Sequence, residues 1–181
     1  MSEPVSPWVA RWLPAAPAGD VLDLACGRGR HARLAASAGR PVLAVDRDPA
    51  ALLDAAGPGI VTQCVDLEEA GAVWPFAPGR FAAVVVTNYL HRPLFGDLAG
   101  ALQAGGLLIY ETFAQGNEAF GKPSNPAFLL APGELLDMAR RHGLHVLAYE
   151  DGVVRAPRTA RIQRLCAIAS GNDLSRAPLD L

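Results

Sequence analysis

Short apolar runs and amphipathic stretches take turns along this chain. Residues 20–25, Pro41 to Asp46, 60–65, Phe81 to Thr87 and 107–113 each read as a strand. Val84-Val85-Val86 is the kind of run a strand buried on both faces carries. Helical patterns lie between them. One spans 29–38 and stops at Gly39, one opens at Asp48-Pro49 with Asp as N-cap and Pro at the first helical position, and one lies near 93–103. Strands alternating with helices predict a parallel sheet covered on both faces.

The pattern differs at both ends. Residues 5–13 read as a short N-terminal helix, with Trp8 and Trp12 on one face, and Pro and Ala residues end it by position 17. Residues 114–131 are rich in Gly, Asn, Pro and Ser and predict a long ordered loop. Pro132-Gly133-Glu134 opens a last helix. Two strands follow at 144–151 and 160–169 with no helix between them, which predicts a hairpin. A polar, loose tail is expected over 171–181.

Composition narrows the class. The chain has 181 residues, 51% of them apolar and 19% charged, which fits one globular domain. A net charge of −2 gives no pull toward nucleic acid or anionic membrane. Cys26, Cys64 and Cys166 are far apart and odd in number, so neither a metal site nor a disulfide framework is expected. Residues 1–19 do not read as a signal peptide, and no apolar run is long enough to span a bilayer. A cytoplasmic location is the expectation.

Candidate chemistry gathers at the carboxyl ends of the strands, where open α/β sheets bind ligands. Gly27 and Gly29 form a tight turn between the first strand and its helix. Asp46, 19 residues after Gly27, suits a carboxylate that accepts bonds from two ribose hydroxyls. Asp66 could accept from an exocyclic adenine amine, and Asp23 could face a ligand's amino group. Each of the three could instead cap a local turn.

These residues resemble the class I S-adenosylmethionine-dependent methyltransferases. The likeness rests on Asp23-Leu-Ala-Cys-Gly27-Arg-Gly29, Val45-Asp46, Asp66-Leu67, Leu102-Gln-Ala-Gly105-Gly106 and the closing hairpin, and it covers about residues 18 to 170. Ala25 stands where glycine is usual, and Gln103-Ala104 replaces the usual Lys-Pro. The resemblance implies a Rossmann-like seven-stranded mixed sheet, order 3-2-1-4-5-7-6, with the last strand antiparallel and helices on both faces. It implies S-adenosylmethionine as cofactor. Asp23, Ala25, Cys26, Gly27, Gly29, Asp46, Arg47, Asp66, Leu67, Thr87 and Asn88 would hold it. Within the family, the short length and the Pro132–Leu135 helix start are similar to small bacterial tellurite-resistance methyltransferases.

On the acceptor side, Tyr89, His91 and Arg92 follow the fourth strand and are the candidates for catalysis. Asn117, Glu118 and Phe120 of the long loop, with Arg155 of the hairpin, are candidates to contact an acceptor. No Asn/Asp-Pro-Pro-Tyr/Phe motif follows the fourth strand, where Thr87-Asn88-Tyr89-Leu90 stands, so a small-molecule acceptor is expected over nucleic acid. Two other readings stay open. Gly27-Arg-Gly29-Arg-His-Ala32 also fits a dinucleotide fingerprint, which would make the chain an NAD(P)-dependent oxidoreductase. The chain could also be a non-catalytic S-adenosylmethionine-binding module.

Overall fold

The computed structural model describes residues 4–169, so the tail expected over 171–181 lies outside the described residues. Seven strands form one sheet: β1 (Asp20–Leu24), β2 (Val42–Asp46), β3 (Ile60–Cys64), β4 (Phe81–Thr87), β5 (Leu102–Phe113), β6 (His145–Val154) and β7 (Ala160–Ile168). Their order is β3-β2-β1-β4-β5-β7-β6. The pairs from β3 through β5 are parallel, while β7 runs antiparallel to both β5 and β6. The expected order and the reversed last strand are thus present. Among the described residues five α-helices accompany them: α1 (Pro7–Trp12), α2 (Arg30–Ser37), α3 (Pro49–Ala55), α4 (Phe95–Gly100) and α5 (Glu134–Arg141).

Strand alternation divides the core into two layers. Leu22, Leu24, Val84, Val86, Leu108, Tyr110 and Leu165 face α4 and α5, where Leu98, Leu135 and Met138 cover them. Val21, Val85, Ile109 and Cys166 face the other way, onto Trp8, Trp12, Ala32, Ala35 and Ala55. Every residue of β4 is buried, as its apolar run requires. Asp48 caps α3 by accepting from the Ala50 N–H at 2.9 Å, with Pro49 next in line.

The pattern around the fourth helix needs a correction. Helix α4 ends at Gly100, and β5 begins at Leu102 instead of 107, because Leu102 pairs with Phe81 before the register shifts. Gly106 makes that shift possible. A Cβ there would lie 2.8 Å from the Phe81 carbonyl oxygen and 2.9 Å from that of Gln103. Among the described residues no helix is long and apolar enough to cross a membrane.

Candidate cofactor and acceptor site

The carboxyl ends of β1, β2, β3 and β4 enclose a cleft of about 270 Å³. Leu24, Val45, Val65 and Leu67 give it apolar walls, and Asp46, Asp66 and Glu68 line it with carboxylates. Ala25, Arg47, Asn88 and Tyr89 complete it. A larger depression of about 650 Å³ opens at the opposite edge of the sheet, beside Asp20, Arg40, Pro41 and Gly59. Its charged groups are engaged in structural contacts: Arg40 donates to the Ala16 and Pro17 carbonyls, and Arg80 pairs with Asp20 at 3.5 Å. The strand-end cleft is therefore the better functional candidate.

The glycine turn is built by left-handed backbone. Ala25, Gly27 and Gly29 have φ of 52°, 52° and 73°. A Cβ on Gly27 would meet nothing within 4 Å, so the turn borders open space. Gly29 answers a different need: a Cβ there would lie 2.6 Å from the Ala55 Cβ, so α2 and α3 can approach only across glycine.

Asp46 ties this turn to the next loop. Its Oδ2 accepts from the Gly27 N–H at 2.7 Å and its Oδ1 from the Asp48 N–H at 2.9 Å. Each carboxylate oxygen has a second lone pair, so the group is held in place and can still accept from a ligand. Asp66 is arranged in the same way, accepting from the Glu68 N–H at 2.9 Å, with the Arg47 guanidinium 3.9 Å away.

Asp23 differs. It points to the α1/α2 face, is 1% exposed, and accepts from the Ala32 N–H in the first turn of α2 at 2.8 Å. Burial pushes its carboxyl up to about 7, against the opposing pull of that hydrogen bond and of Arg30. Asp23 therefore caps a helix and does not line the cleft. Cys26 donates to the Gly27 carbonyl, and burial with the Asp23 and Asp46 carboxylates drives its thiol well above the usual range, so it stays protonated.

Tyr89, a catalytic candidate from sequence, lines the cleft. Its carbonyl accepts from the Tyr110 hydroxyl at 2.9 Å. Burial and the nearby Glu68 carboxylate raise its phenol far above neutral, so it is no base at pH 7. His91 is partly exposed and its carbonyl starts a 3₁₀ turn over 92–94. Arg92 was a candidate for catalysis, with a surface role also open. Instead its guanidinium grips Glu134 at 2.5 and 2.9 Å and donates to the carbonyls of Ala127 and Leu129 at 2.8 and 2.9 Å. It braces the long loop against α5.

That loop is fastened along its length. Ala114 and Leu130 form a bridge, the buried Asn117 donates to the Pro123 carbonyl at 2.9 Å, and Asn117 Oδ1 accepts from the Arg161 N–H at 3.0 Å. Glu118 accepts from the Gly116 N–H, and Phe120 is 46% exposed. Asn117, Glu118, Phe120 and the exposed hairpin residue Arg155 are not among the residues lining the cleft.

Sequence reasoning missed His31. It is 2% exposed and joins three elements. Its Nε2 accepts from the Ser6 N–H at 3.1 Å, and its Nδ1 lies 3.4 Å from the Thr87 hydroxyl. The signal was available, because His31, Ala32 and Ala35 form the buried face of α2. Beside Thr87, a polar row crosses the sheet. Thr87, Glu111, Arg164 and Glu150 are successive register partners on β4, β5, β7 and β6. Arg164 pairs with Glu111 at 3.5 Å and Glu150 at 2.5 Å and sits 4.8 Å from the centre of the Trp8 ring.

Residues 21–106 match a family model described as a methyltransferase domain. No curated protein matches the chain by sequence. An S-adenosylmethionine-dependent methyltransferase from Mesorhizobium loti superposes with a TM-score of 0.72 at 19% identity, covering 90% of this chain and 96% of that one. TehB from Haemophilus influenzae gives 0.73 at 16% identity over 91% of this chain, which spans 62% of TehB. The [4+2]-cyclase SpnF gives 0.70 at 16% identity, covering 88% and 77%. The chain has the fold of the class I S-adenosylmethionine-dependent methyltransferases.

Proposed function

We propose that this protein is an S-adenosylmethionine-dependent methyltransferase that passes the methyl group to a small molecule by direct in-line displacement. The observation that carries this reading is Asp46, held by the Gly27 and Asp48 amides at the mouth of an apolar-walled cleft. The donor set fits the cofactor. Asp46 keeps lone pairs for two ribose hydroxyls, Leu24, Val45, Val65 and Leu67 can hold a purine, and Asp66 can accept from its amine. When bound, S-adenosylmethionine supplies a methyl group on positively charged sulfur, already activated toward a nucleophile. The chain's own work is then to orient the acceptor and exclude water. His91, two residues after the cleft-lining Tyr89, is the remaining candidate base, and a base is needed only for an acceptor that must lose a proton. A net charge of −2 favours a small acceptor over a phosphate backbone. The finer placement beside tellurite-resistance enzymes rests on Pro132–Leu135, since the likeness to TehB is of the same order as that to the Mesorhizobium protein.

The dinucleotide reading loses ground at Asp23. A pyrophosphate would need the first-turn amides of α2, yet the Ala32 N–H already serves a buried carboxylate. A [4+2]-cyclase shares the fold, so the fold alone does not establish methyl transfer and the binding-module reading needs its own test. Calorimetric titration with S-adenosylmethionine, S-adenosylhomocysteine and NADH separates these readings. Both adenosyl ligands should bind, and Asp46→Asn should weaken them tenfold or more, about 1.4 kcal/mol or above. Binding of NADH alone would overturn the proposal. Label transfer from methyl-tritiated S-adenosylmethionine to a panel of small thiols, amines and oxyanions then separates an enzyme from a binding module.

A further inference from the structure

The two edges of the sheet are finished differently. β6, at one edge, carries Glu150 and Asp151, and its register shifts between Val146 and Ala148. Charges and irregularities of this kind keep an edge strand from pairing with another chain. β3, at the other edge, reads Ile60-Val61-Thr62-Gln63-Cys64, with no charge, proline or register shift. Its surroundings leave it open as well. The connection from β3 to β4, residues 65–80, holds no helix. A depression of about 650 Å³ stays open beside Leu43 and Val61, and Val61 is 66% exposed. On the other face of the sheet, α3 buries Leu52 and Ala55 but leaves Leu53 80% exposed.

The backbone of β3 shows what this edge can accept. The Gly59 carbonyl and the Val65 N–H bond to β2, so strand alternation turns the N–H and C=O groups of Ile60, Thr62 and Cys64 outward. Ile60 is already served, since its N–H donates to the Gly57 carbonyl at 3.1 Å and Gly57 closes the edge there. Among the described residues, the N–H and C=O groups of Thr62 and Cys64 have no partner. These groups are their own complement. In an antiparallel pair centred on Gln63, Thr62 exchanges both bonds with the partner's Cys64, and Cys64 does so with the partner's Thr62. Every outward group of the two residues is then satisfied. The same register sets Val61 against the partner's Val65, and Gln63 against the partner's Gln63.

We propose that β3 is a docking edge for a second copy of this chain, joining two sheets into one across a two-fold axis at Gln63. A second copy suits the edge better than an unrelated strand for three reasons. The outward backbone groups match themselves, with Gly57 fixing where the ladder must stop. Val61 gains an apolar neighbour for its exposed side chain. From Pro58 to Asp66 the only charged side chain is Asp66, and it falls opposite the partner's Ile60, so no like charges meet across the axis. The pairing is independent of what the strand-end cleft binds.

Sedimentation velocity of the full chain tests this. At about 100 μM the wild type should be mostly dimer. Thr62→Pro removes an outward N–H and leaves the ladder to β2 intact, so it should raise the dimer dissociation constant about tenfold or more. Val61→Lys, a change at an exposed side chain, should do the same and serves if Thr62→Pro fails to fold. Val153→Lys, on the β6 edge, should leave the dimer unchanged. The register has its own test. Gln63→Cys in a Cys64→Ser background sets two thiols directly opposite each other at a Cα separation of about 4.5 Å, within disulfide range. Mild oxidation should link the two copies covalently. Cys64→Ser alone should stay unlinked, since Cys26 and Cys166 are buried. A wild type that is monomeric at about 100 μM, a dimer that survives both β3 substitutions, or a dimer that oxidation fails to link would each overturn the proposal. So would a monomeric chain whose β3 pairs with a strand of another protein instead.

Discussion

Ala25 carries a cost that its side chain gives no hint of. A non-glycine residue at φ of 52° crowds its Cβ against the following carbonyl, which costs about 1–2 kcal/mol. Asn88, at φ of 55°, tolerates the same region far better. Ala25→Gly should therefore stabilise the protein by about 1 kcal/mol, less glycine's extra unfolded-state freedom, raising the melting temperature by roughly 2–4 °C. Differential scanning calorimetry would check this; a fall in melting temperature would show that the turn is relaxed around alanine. The departure from the family pattern was visible in sequence, but its backbone strain was not. Asp46 and Asp66 were legible for the opposite reason, since a carboxylate at a strand end announces itself through spacing alone. Asp23 also lies near a strand end but in a different setting. Strand alternation turns it under α2, and only the burial of its side chain reveals the cap.

Among the elements, the long loop shows where pattern reading reaches its limit. Its length and its place after β5 were plain, and both pointed to contact with an acceptor. Its fastening depends on partners far away in sequence: Arg161 on Asn117, and Arg92 on Ala127 and Leu129. Asn117→Ala would leave the Arg161 N–H and the Pro123 carbonyl without their partner in a buried setting. The expected loss is about 2–3 kcal/mol of unfolding free energy, measured in urea. Adenosyl-ligand affinity should stay within about twofold, because Asn117 does not line the cleft. A large loss of affinity with stability intact would instead place the loop over the ligand. The early start of β5 was hidden for a similar reason. Leu102 extends β4's ladder only because Gly106 lets the chain pass close to Phe81, a contact made across the sheet.

At the scale of the whole molecule, two buried groups set opposite pH slopes. Asp23 shifts from 3.8 up to about 7, so its contribution to stability is full below 3.8 and lost as pH rises through 7. His31 shifts from 6.5 down to about 3, so its contribution is full above 6.5 and lost as pH falls toward 3. Between those limits the folded protein holds one proton on Asp23, and the unfolded chain holds one on His31. The two effects cancel. Stability from pH 6 to 4.5 should carry no slope from this pair, while Asp23→Asn should lose about 1.4 kcal/mol per pH unit on acidification and His31→Gln should gain as much. Denaturant midpoints across that range test the signs, and parallel slopes in the two variants would refute the pairing. The sheet order itself was legible almost entirely, because strand–helix alternation and a closing hairpin leave few topologies open. The two ends of the described chain have unequal surroundings, and this matters for handling the protein. Ala169 is bonded to Gly106 at the edge remote from the cleft, whereas Ser6 reaches His31 and Thr87 at the functional edge. An affinity tag or fluorophore placed after residue 169 starts on the side of the sheet away from the cleft, whereas one fused ahead of Ser6 pulls on the His31–Thr87 contacts at the strand ends and is the poorer choice for a binding experiment.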